Sequence, residues 1–457
     1  MRMTSWVLAT AMAVTVGVVA PAAAATDPSS DPVSPRGLMP AAPQSVLPQL
    51  PQTLSVPGAS AGQRSWLSGR ASSNSRRIPG VRPLNRITAQ DFGIHSYVGK
   101  PAVPAGSIRL QCAPLWSELN PAPGKYNWRM MGFWLSHIRP TGITDLQFSI
   151  CGTPAWAAKP IPHPEVKVYW GVSAPKQMSY WRDFVTQLVK HYGSVISVYE
   201  AWNEATSPYQ WQGTPGELAT MTKILKEVVD EYDPTGTVLA ANVQTAEQSG
   251  WYNSFFPAYL KALRARGWPV DAITIHTYAG GPTTTANQAL AKRPEVLTNV
   301  LRMVERYDMP MRVGIWDTET NYLGPTRSGR WSQAYLARTY LDSWRFGVRR
   351  TYWYTWTLSP DQWLGVDLTP HSAARSAFTT LAGWTVGARF KGCIGKAGVQ
   401  QCRFSRAGRS FAIAYSDTMT AHRIRLKRKA TVCPVSGGSC SRVKKSLKVG
   451  YLPVRIS

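Results

Sequence analysis

Acidic residues are scarce in this chain of 457 residues, which carries 25 Asp and Glu against 51 Lys and Arg and a formal net charge of +26. A surface this basic attracts polyanions, among them nucleic acids, anionic lipid headgroups and acidic cell-wall polymers. The hydrophobic content of 44% indicates a folded protein with a substantial core. Charge alone leaves the three classes of polyanion open.

Long apolar runs are also lacking, apart from one at the N-terminus. Arg2 is followed by an apolar run over 6–20 and then by the small residues of 21–25. The run is shorter than the roughly 20 residues needed to cross a bilayer, and it ends in an Ala-x-Ala pattern. Residues 1–25 therefore predict a secretory signal peptide. Because no Cys lies at the predicted cleavage site, we do not expect a bacterial lipid anchor. We expect an exported protein, secreted or associated with the cell wall, with no membrane span.

The six cysteines do not have the spacing of a zinc site, and no histidine cluster accompanies them. Export makes them candidates for disulfides instead. Four lie near the C-terminus and allow three pairings, of which we favour the local ones, Cys393–Cys402 and Cys433–Cys440. For Cys112 and Cys151, which end adjacent predicted strands, a disulfide and two buried thiols both remain open.

Residues 26–85 are rich in Pro, Ser, Ala, Gln and Arg and have no sustained periodicity. This composition is typical of a flexible or extended linker. A pro-segment would have the same composition, and the sequence does not distinguish the two.

From Phe92 onward, short apolar runs alternate with amphipathic stretches. The predicted strands are Phe92–Val98, Ser107–Cys112, Ile143–Cys151, Val195–Asn203, Thr237–Gln244, Asp271–Tyr278, Met311–Glu319 and Arg350–Trp356. The predicted helices are Tyr180–Tyr192, Pro215–Tyr232, Trp251–Gly267, Pro294–Tyr307 and Trp331–Phe346. Eight strands with intervening helices predict an α/β fold, a (β/α)8 TIM barrel over residues 86–385. A doubly wound sheet would need a Gly-rich phosphate loop after the first strand, and none is present there.

Helical patterns stop near Trp384, and residues 386–457 read as short strands separated by Gly and Ser. We predict a small β-sandwich-like domain stapled by disulfides. This region holds 16 Lys and Arg against a single acid, Asp417. We expect it to bind an anionic cell wall electrostatically, although a solvated accessory domain would look the same. Nucleic acid is disfavoured, because the chain has no recognition motif and is predicted to be exported.

Two glutamates stand at strand ends, where the active site of such a barrel is built. Glu204 follows the fourth predicted strand and Glu319 ends the seventh, 115 residues later, or three βα units of about 38 residues each. Strands four and seven lie nearly opposite on the rim, so both side chains can point into one cleft. Either glutamate alone could be a solvated strand-end acid. Together, at a separation of about 5 Å, they would form the carboxylate pair of a retaining glycosidase.

Several motifs in order resemble a known group of enzymes. Trp202-Asn203-Glu204 and Trp316-Asp-Thr-Glu-Thr-Asn321 resemble the clan of retaining (β/α)8 glycoside hydrolases, and the nearest match is family 39 and its relatives. The segments over 116–128 and 152–157 are similar to the second and third βα loops of the clan. Arg182-Asp-Phe and His191-Tyr-Gly193 match its helix before strand four. Ala205 departs from the pattern, since many relatives have Pro there.

The resemblance implies that Glu204 is the acid/base and Glu319 the nucleophile. It implies that Asn203 binds the sugar 2-hydroxyl and that Tyr278 donates a hydrogen bond to the nucleophile. Further substrate-binding candidates are Arg109 and His276 in the polar network, Trp356 as the floor beneath the sugar, and Trp156, which could equally be rim packing.

The sequence thus predicts a secreted retaining glycoside hydrolase that cleaves O-glycosidic bonds of an extracellular or cell-wall glycan. It predicts no metal and no organic cofactor. Two alternatives remain: a carbohydrate-binding protein that has kept the barrel but not catalysis, and a transglycosylase that uses a sugar as acceptor.

Overall fold

The computed structural model describes residues 84–95, 101, 103–166, 168, 170–245, 250–280, 284–325, 327–355, 365–369 and 372–457. The predicted signal peptide, nearly all of the predicted linker, and Trp356 lie outside the described residues. Among the described residues, no helix is both long enough and apolar enough to cross a membrane.

Eight parallel strands close into a barrel in the order β1-β2-β3-β4-β5-β7-β9-β11, and β11 pairs with β1 to complete the ring. Three two-residue strands, β6, β8 and β10, extend its upper rim. The bounds are β1 (Phe92–His95), β2 (Ser107–Gln111), β3 (Asp145–Ser149), β4 (Val198–Glu200), β5 (Thr237–Leu239), β6 (Val243–Gln244), β7 (Ala272–His276), β8 (Ala279–Gly280), β9 (Gly314–Thr320), β10 (Tyr322–Leu323) and β11 (Val348–Trp353).

Helices connect these strands: α1 (Trp116–Leu119), α2 (Trp128–Ile138), α3 (Met178–Tyr192), α4 (Pro215–Tyr232), α5 (Gly250–Ala265), α6 (Ala286–Arg306), α7 (Gly329–Arg345) and α8 (Ala373–Thr385). The start of α4 shows why they begin where they do. Thr214 Oγ1 accepts a hydrogen bond from the Glu217 amide at 3.1 Å, and the Glu217 carboxylate accepts one from the Thr214 amide at 2.8 Å. This capping box satisfies two amides, and Pro215 takes the first helical position, where no amide hydrogen is needed.

The prediction of a (β/α)8 barrel is confirmed, and the differences are local. Helix α6 begins at Ala286, eight residues before the predicted Pro294, which lies inside the helix. A proline there cannot donate to the carbonyl four residues earlier. Arg338 from α7 donates to that carbonyl, Leu290 O, at 3.0 Å, so the helix continues through the proline.

The lower barrel interior is filled by apolar side chains from five strands, Val198, Leu239, Ala272, Trp316 and Tyr352. Close approach at this level requires Gly93 on β1, because a Cβ atom there would lie 2.3 Å from the Tyr352 ring. The inward-facing side chains of the next layer up are polar. This change of character marks the level at which the candidate site begins.

Residues after α8 form a β-rich domain, as predicted. Its bounds are β12 (Arg389–Lys396), β13 (Val399–Arg406), β14 (Arg409–Ser416), β15 (His422–Arg425), β16 (Ala430–Pro434), β17 (Ser441–Val443), β18 (Ser446–Val449) and β19 (Val454–Ile456). Six of these strands form one sheet in the order β12-β13-β14-β19-β16-β17, while β15 and β18 form a separate ribbon. One face of the sheet packs on the barrel, where Phe404 contacts Trp344 and the Tyr415 hydroxyl donates to Asp342 at 2.6 Å.

Three disulfides are present, and among the described residues no cysteine is free. Cys393–Cys402 and Cys433–Cys440 are the local pairs that the sequence favours. Cys112–Cys151 joins the ends of β2 and β3, so the disulfide, rather than two buried thiols, is the state of this pair.

The Cys112–Cys151 bond closes a sequence separation of 39 residues, against 7 for Cys433–Cys440. Loop-closure entropy then predicts that Cys112→Ser/Cys151→Ser lowers the free energy of unfolding by about 4 kcal/mol and Cys433→Ser/Cys440→Ser by about 2.5 kcal/mol. Denaturant unfolding of both variants beside the wild type measures the difference. A larger loss from the shorter loop would contradict the entropic argument.

Candidate active site

Glu204 stands at the rim because the chain turns sharply after β4. The strand ends at Glu200, and Glu204 itself has a left-handed backbone with φ of +46°. Such a conformation costs a non-glycine residue about 1–3 kcal/mol and persists only where its surroundings hold it. Asn242 holds it here: its Oδ1 accepts from the Glu204 amide at 2.6 Å, and its carbonyl accepts from the Ala205 amide at 3.0 Å.

Glu319 faces the same cleft because β9 carries a bulge. Trp316 points into the barrel and Asp317 points out, so strict alternation would send Glu319 outward. The register jumps, however: Ile275 pairs with Asp317 while His276 pairs with Glu319, which leaves Thr318 as an extra residue. A bulge of this kind re-aims the following side chain, and both Thr318 and Glu319 turn inward.

The outward Asp317 anchors this irregular segment. Arg293 from α6, which is almost fully buried, pairs with Asp317 at 2.8 Å and donates to Ser343 Oγ of α7 at 2.6 Å. The Thr277 amide donates to Asp317 Oδ1 at 3.2 Å. The strand on which Glu319 stands is thus tied from behind to two helices.

The two carboxylates meet around His276. Within the described residues, Glu204, His276 and Glu319 each place one ligand atom within 4.8 Å of the others. His276 Nδ1 lies 3.0 Å from Glu204 Oε1 and 3.6 Å from Glu319 Oε2. The Tyr278 hydroxyl donates to Glu319 Oε1. Both glutamates are almost fully buried, with exposed fractions of 7% and 4%.

Arg109 is the cation that links this cluster. Its Nη1 donates to Glu319 Oε2 at 3.1 Å, and its Nη2 donates to Glu200 Oε2 at 2.6 Å and to Asn203 Oδ1 at 2.9 Å. The guanidinium is fully buried. A planar fork of donors suits such simultaneous contacts, which a lysine could not reproduce.

Burial raises the pKa of Glu204 to about 7, although a hydrogen bond from Gln244 and the charge of Arg109 oppose the shift. Burial and the neighbouring Glu204 carboxyl raise the pKa of Glu319, against the opposing influence of Arg109 and the Tyr278 hydroxyl. Glu200 differs: burial opposes its ionisation, yet Arg109 holds its pKa below the ordinary value. One carboxyl that keeps its proton near neutral pH therefore lies beside a carboxylate with two strong donors.

The histidines of the cluster are neutral. Burial lowers the pKa of His276 to about 4 and that of His95 well below its ordinary value. His95 Nε2 donates to the carbonyl of the bulge residue Thr318 at 2.9 Å. Neutral imidazoles add hydrogen bonds without adding positive charge, so Arg109 supplies the charge that balances the carboxylates.

Asn203 is oriented by its neighbours. Its Oδ1 accepts from Arg109 and, at 3.2 Å, from Asn242 Nδ2. The opposite end of the amide, Nδ2, is buried and has no hydrogen-bond partner among the described residues. A buried, unpaired donor beside two carboxylates is available to a ligand hydroxyl.

A divalent metal would find three ligand atoms in Glu204, His276 and Glu319. Arg109, however, already lies 3.1 Å from Glu319 Oε2, where a second positive charge would be repelled.

Four predicted substrate-binding residues converge on the glutamates: Arg109, Asn203, His276 and Tyr278. Trp156 does not join them. Its indole donates to Asn120 O at 3.0 Å and its ring packs against Tyr180, so its role in binding stays a prediction. Trp356, the predicted floor, lies outside the described residues. Tyr354, which follows β11, contacts Tyr278 and the His95 ring.

Asn242 and Glu200 also belong to the site, although the sequence motifs assign a role to neither. Both carried a signal in the sequence. Asn242 lies near the end of the fifth predicted strand, and Glu200 lies four residues before Glu204, on the face that strand alternation predicts for both. The contact of Glu200 with Arg109 and with Thr318 Oγ1 at 3.0 Å makes it part of the support beneath Glu319.

No family model matches this sequence, and no curated protein matches it significantly. Solved structures do match. A family 39 glycoside hydrolase from Bacteroides cellulosilyticus has a TM-score of 0.58 at 17% identity, over 81% of this chain and 82% of that one.

Two further structures agree. CelM2, a bifunctional glucanase-xylanase from a metagenome library, has a TM-score of 0.56 at 11% identity, over 82% of this chain and 96% of that one. A monomeric β-xylosidase from Caulobacter crescentus has a TM-score of 0.55 at 14% identity, over 82% of this chain and 97% of that one. At these identities the likeness establishes a shared fold, and the solved structures that share it include a member of family 39, the family that the sequence motifs resemble.

Proposed function

We propose that this protein is a retaining glycoside hydrolase in which Glu319 is the nucleophile and Glu204 the acid/base. The observation that carries the proposal is the approach of the two glutamates: one carboxylate oxygen of Glu204 lies within 4.8 Å of one carboxylate oxygen of Glu319. Retaining enzymes have carboxyl groups about 5–5.5 Å apart, whereas inverting enzymes leave about 6.5–9.5 Å for a water molecule. The glycosidase fold of the matching structures supports the same activity.

The environments of the two carboxyls support this division of roles. Glu319 accepts hydrogen bonds from Arg109 and Tyr278, which stabilise its charged form. Glu204 has a pKa of about 7 and can hold a proton near neutrality. Burial raises the pKa of both carboxyls, but only Glu319 accepts hydrogen bonds from both a guanidinium and a phenol, which favour its ionised form.

In the first step a Glu319 oxygen attacks the anomeric carbon while the glycosidic bond breaks, and the leaving oxygen takes the proton of Glu204. In the second step the Glu204 carboxylate removes a proton from water, whose oxygen attacks the same carbon and releases Glu319. Asn203 Nδ2 would donate to the sugar 2-hydroxyl, a contact that strengthens as charge develops at the anomeric carbon.

Two other functions use the same barrel. A carbohydrate-binding protein would need neither carboxylate, and the presence of both, with Arg109 and Tyr278 in contact with Glu319, argues against it. A transglycosylase would pass the glycosyl group to a sugar hydroxyl instead of water. Product analysis at high acceptor concentration separates that reaction from hydrolysis.

We propose that the enzyme acts outside the cell on a glycan of the cell wall or the surrounding matrix. The predicted signal peptide and the three disulfides support export. Because matching structures are a glucanase-xylanase and a β-xylosidase, aryl β-glucosides and β-xylosides are the first substrates to screen.

Replacing the two glutamates should separate their roles. Glu319→Ala removes the nucleophile, so we expect kcat on an aryl glycoside to fall at least about 10⁴-fold. For Glu204→Ala we expect a much smaller loss of kcat on a substrate with a good leaving group. Azide should restore turnover of this variant, because azide attacks without the help of a general base. Glu118→Ala, which removes a half-buried carboxylate that caps the start of α1 through the Leu115 amide, is the control. Full activity of the Glu319 variant would refute the proposal.

Activity should depend on pH through both carboxyls. Glu204 must be protonated in the first step, so kcat/KM falls as pH rises through about 7. Glu319 must be ionised, and because its pKa is raised, the acid limb lies above pH 4.5. The pKa values read from the two limbs are apparent values that belong to the coupled pair of carboxyls. Glu204→Gln should abolish the alkaline limb on an activated substrate, and a limb that persists would assign it to another group.

Tyr278→Phe tests whether the hydroxyl keeps Glu319 ionised. Losing one hydrogen bond to a carboxylate costs about 1.5–3 kcal/mol, so kcat/KM should fall by about 10- to 100-fold. The acid limb should also move to higher pH, since the charged form of Glu319 is less stabilised. An unchanged acid limb would contradict this role.

A further inference from the structure

Half of the 16 Lys and Arg of the C-terminal domain lie on one exposed surface, the cationic ribbon, which comprises strands β15 and β18 with their flanking turns. Its exposed members are Arg423, Arg425, Lys427, Arg428, Lys429, Lys444, Lys445 and Lys448. No Asp or Glu follows Asp417 in the sequence. None of the ion pairs found among the described residues involves a member of the ribbon.

Strand register aligns these cations. In the β15–β18 pairing Arg423 lies directly opposite Lys448. Arg425 is two residues from Arg423, so it lies on the same face about 7 Å along the strand. The Leu426 amide donates to Lys445 O at 2.9 Å, which brings the turn at 427–429 beside the turn at 444–445. Like charges directly opposite each other destabilise a strand pair.

The sheet behind the ribbon determines which way it faces. Ile424, Leu447 and Val449 of the ribbon pack on Val399 and Ala414 of the sheet. The opposite face of that sheet packs on the barrel through Phe404 and Tyr415. The cationic face therefore points away from the barrel, with no described element of the chain covering it.

We infer that the cationic ribbon is a binding surface for an acidic polysaccharide, whose regularly spaced carboxylates neutralise it. A row of cations binds a linear polyanion through charge and counterion release. Nucleic acid fits less well, because the segments 423–429 and 444–448 contain no aromatic side chain on which bases could stack. A membrane also fits less well, since the apolar side chains of the ribbon face the sheet and not the outside.

That the ribbon binds a polyanion follows from its charge, whereas the choice of a polysaccharide as that polyanion rests on the proposed function. The ribbon would hold the enzyme on its polymer while the barrel, on the other side of the sheet, remains open to a chain. Binding should therefore survive loss of catalysis, and the two proposals can fail separately.

The test measures binding of full-length Glu319→Ala protein to polygalacturonate and to its neutral methyl ester at several salt concentrations. We expect the protein to bind polygalacturonate but not the methyl ester, and we expect its affinity for polygalacturonate to fall as the salt concentration rises. Adding Arg423→Gln/Arg425→Gln/Lys448→Gln should reduce affinity at low salt about tenfold or more and flatten the salt dependence. The same change at Lys125, Arg129 and Arg139, three exposed barrel cations, removes equal charge and should have little effect.

Equal losses from the two triple variants would overturn the inference, because only net charge would then matter. Tighter binding to duplex DNA or to anionic vesicles than to polygalacturonate would overturn it in favour of those partners. If the strand variant misfolds by circular dichroism, Lys427→Gln/Arg428→Gln/Lys429→Gln in the turn replaces it. When the ribbon substitutions are made in protein that retains Glu319, hydrolysis of a small aryl glycoside should proceed at the wild-type rate.

Discussion

The burial of two carboxyls within a few ångströms of each other is the constraint on which the upper barrel depends. Desolvation and mutual repulsion both oppose their ionisation, and together they would leave the site uncharged. Arg109 resolves this by placing one guanidinium against Glu319, Glu200 and Asn203 at once. Glu200 in turn keeps that guanidinium paired, so the support extends one layer below the glutamates that face the cleft.

Two local departures from regular backbone give the glutamates their directions. The left-handed backbone at Glu204 is held by Asn242, and the bulge at Thr318 is held by His95 from within and by the Asp317–Arg293 pair from behind. Strained or irregular backbone at a functional site persists only where the surroundings over-determine it. Most polar side chains around the cleft therefore hold the two glutamates in place through hydrogen bonds and ion pairs. Asn203 Nδ2 differs, since it has no partner among the described residues and can donate to a ligand.

The C-terminal domain divides its surfaces between two tasks. One sheet face packs on the barrel helices, and the other carries the ribbon, whose cations form no ion pair with any acid in the part of the chain that the structure describes. Uncompensated charge in a strand pair reduces stability, so its concentration on the outermost layer is consistent with a partner outside the chain. The barrel and the ribbon would then act on the same polymer, one by cleaving it and one by holding it.

The sequence by itself determined the barrel, the β-rich domain, the local disulfides and the two glutamates at strand ends, because hydrophobic periodicity and motif order are properties of short segments. It did not determine that Arg109 links Glu200 with Glu319, that Asn242 holds Glu204, or that Cys112 is bonded to Cys151. Those contacts join residues dozens to hundreds of positions apart. The bulge at Thr318 shows the reason most clearly. Strict alternation would turn Glu319 away from the cleft. The register of β9 against β7 and β11 leaves Thr318 as an extra residue, and this turns Glu319 inward.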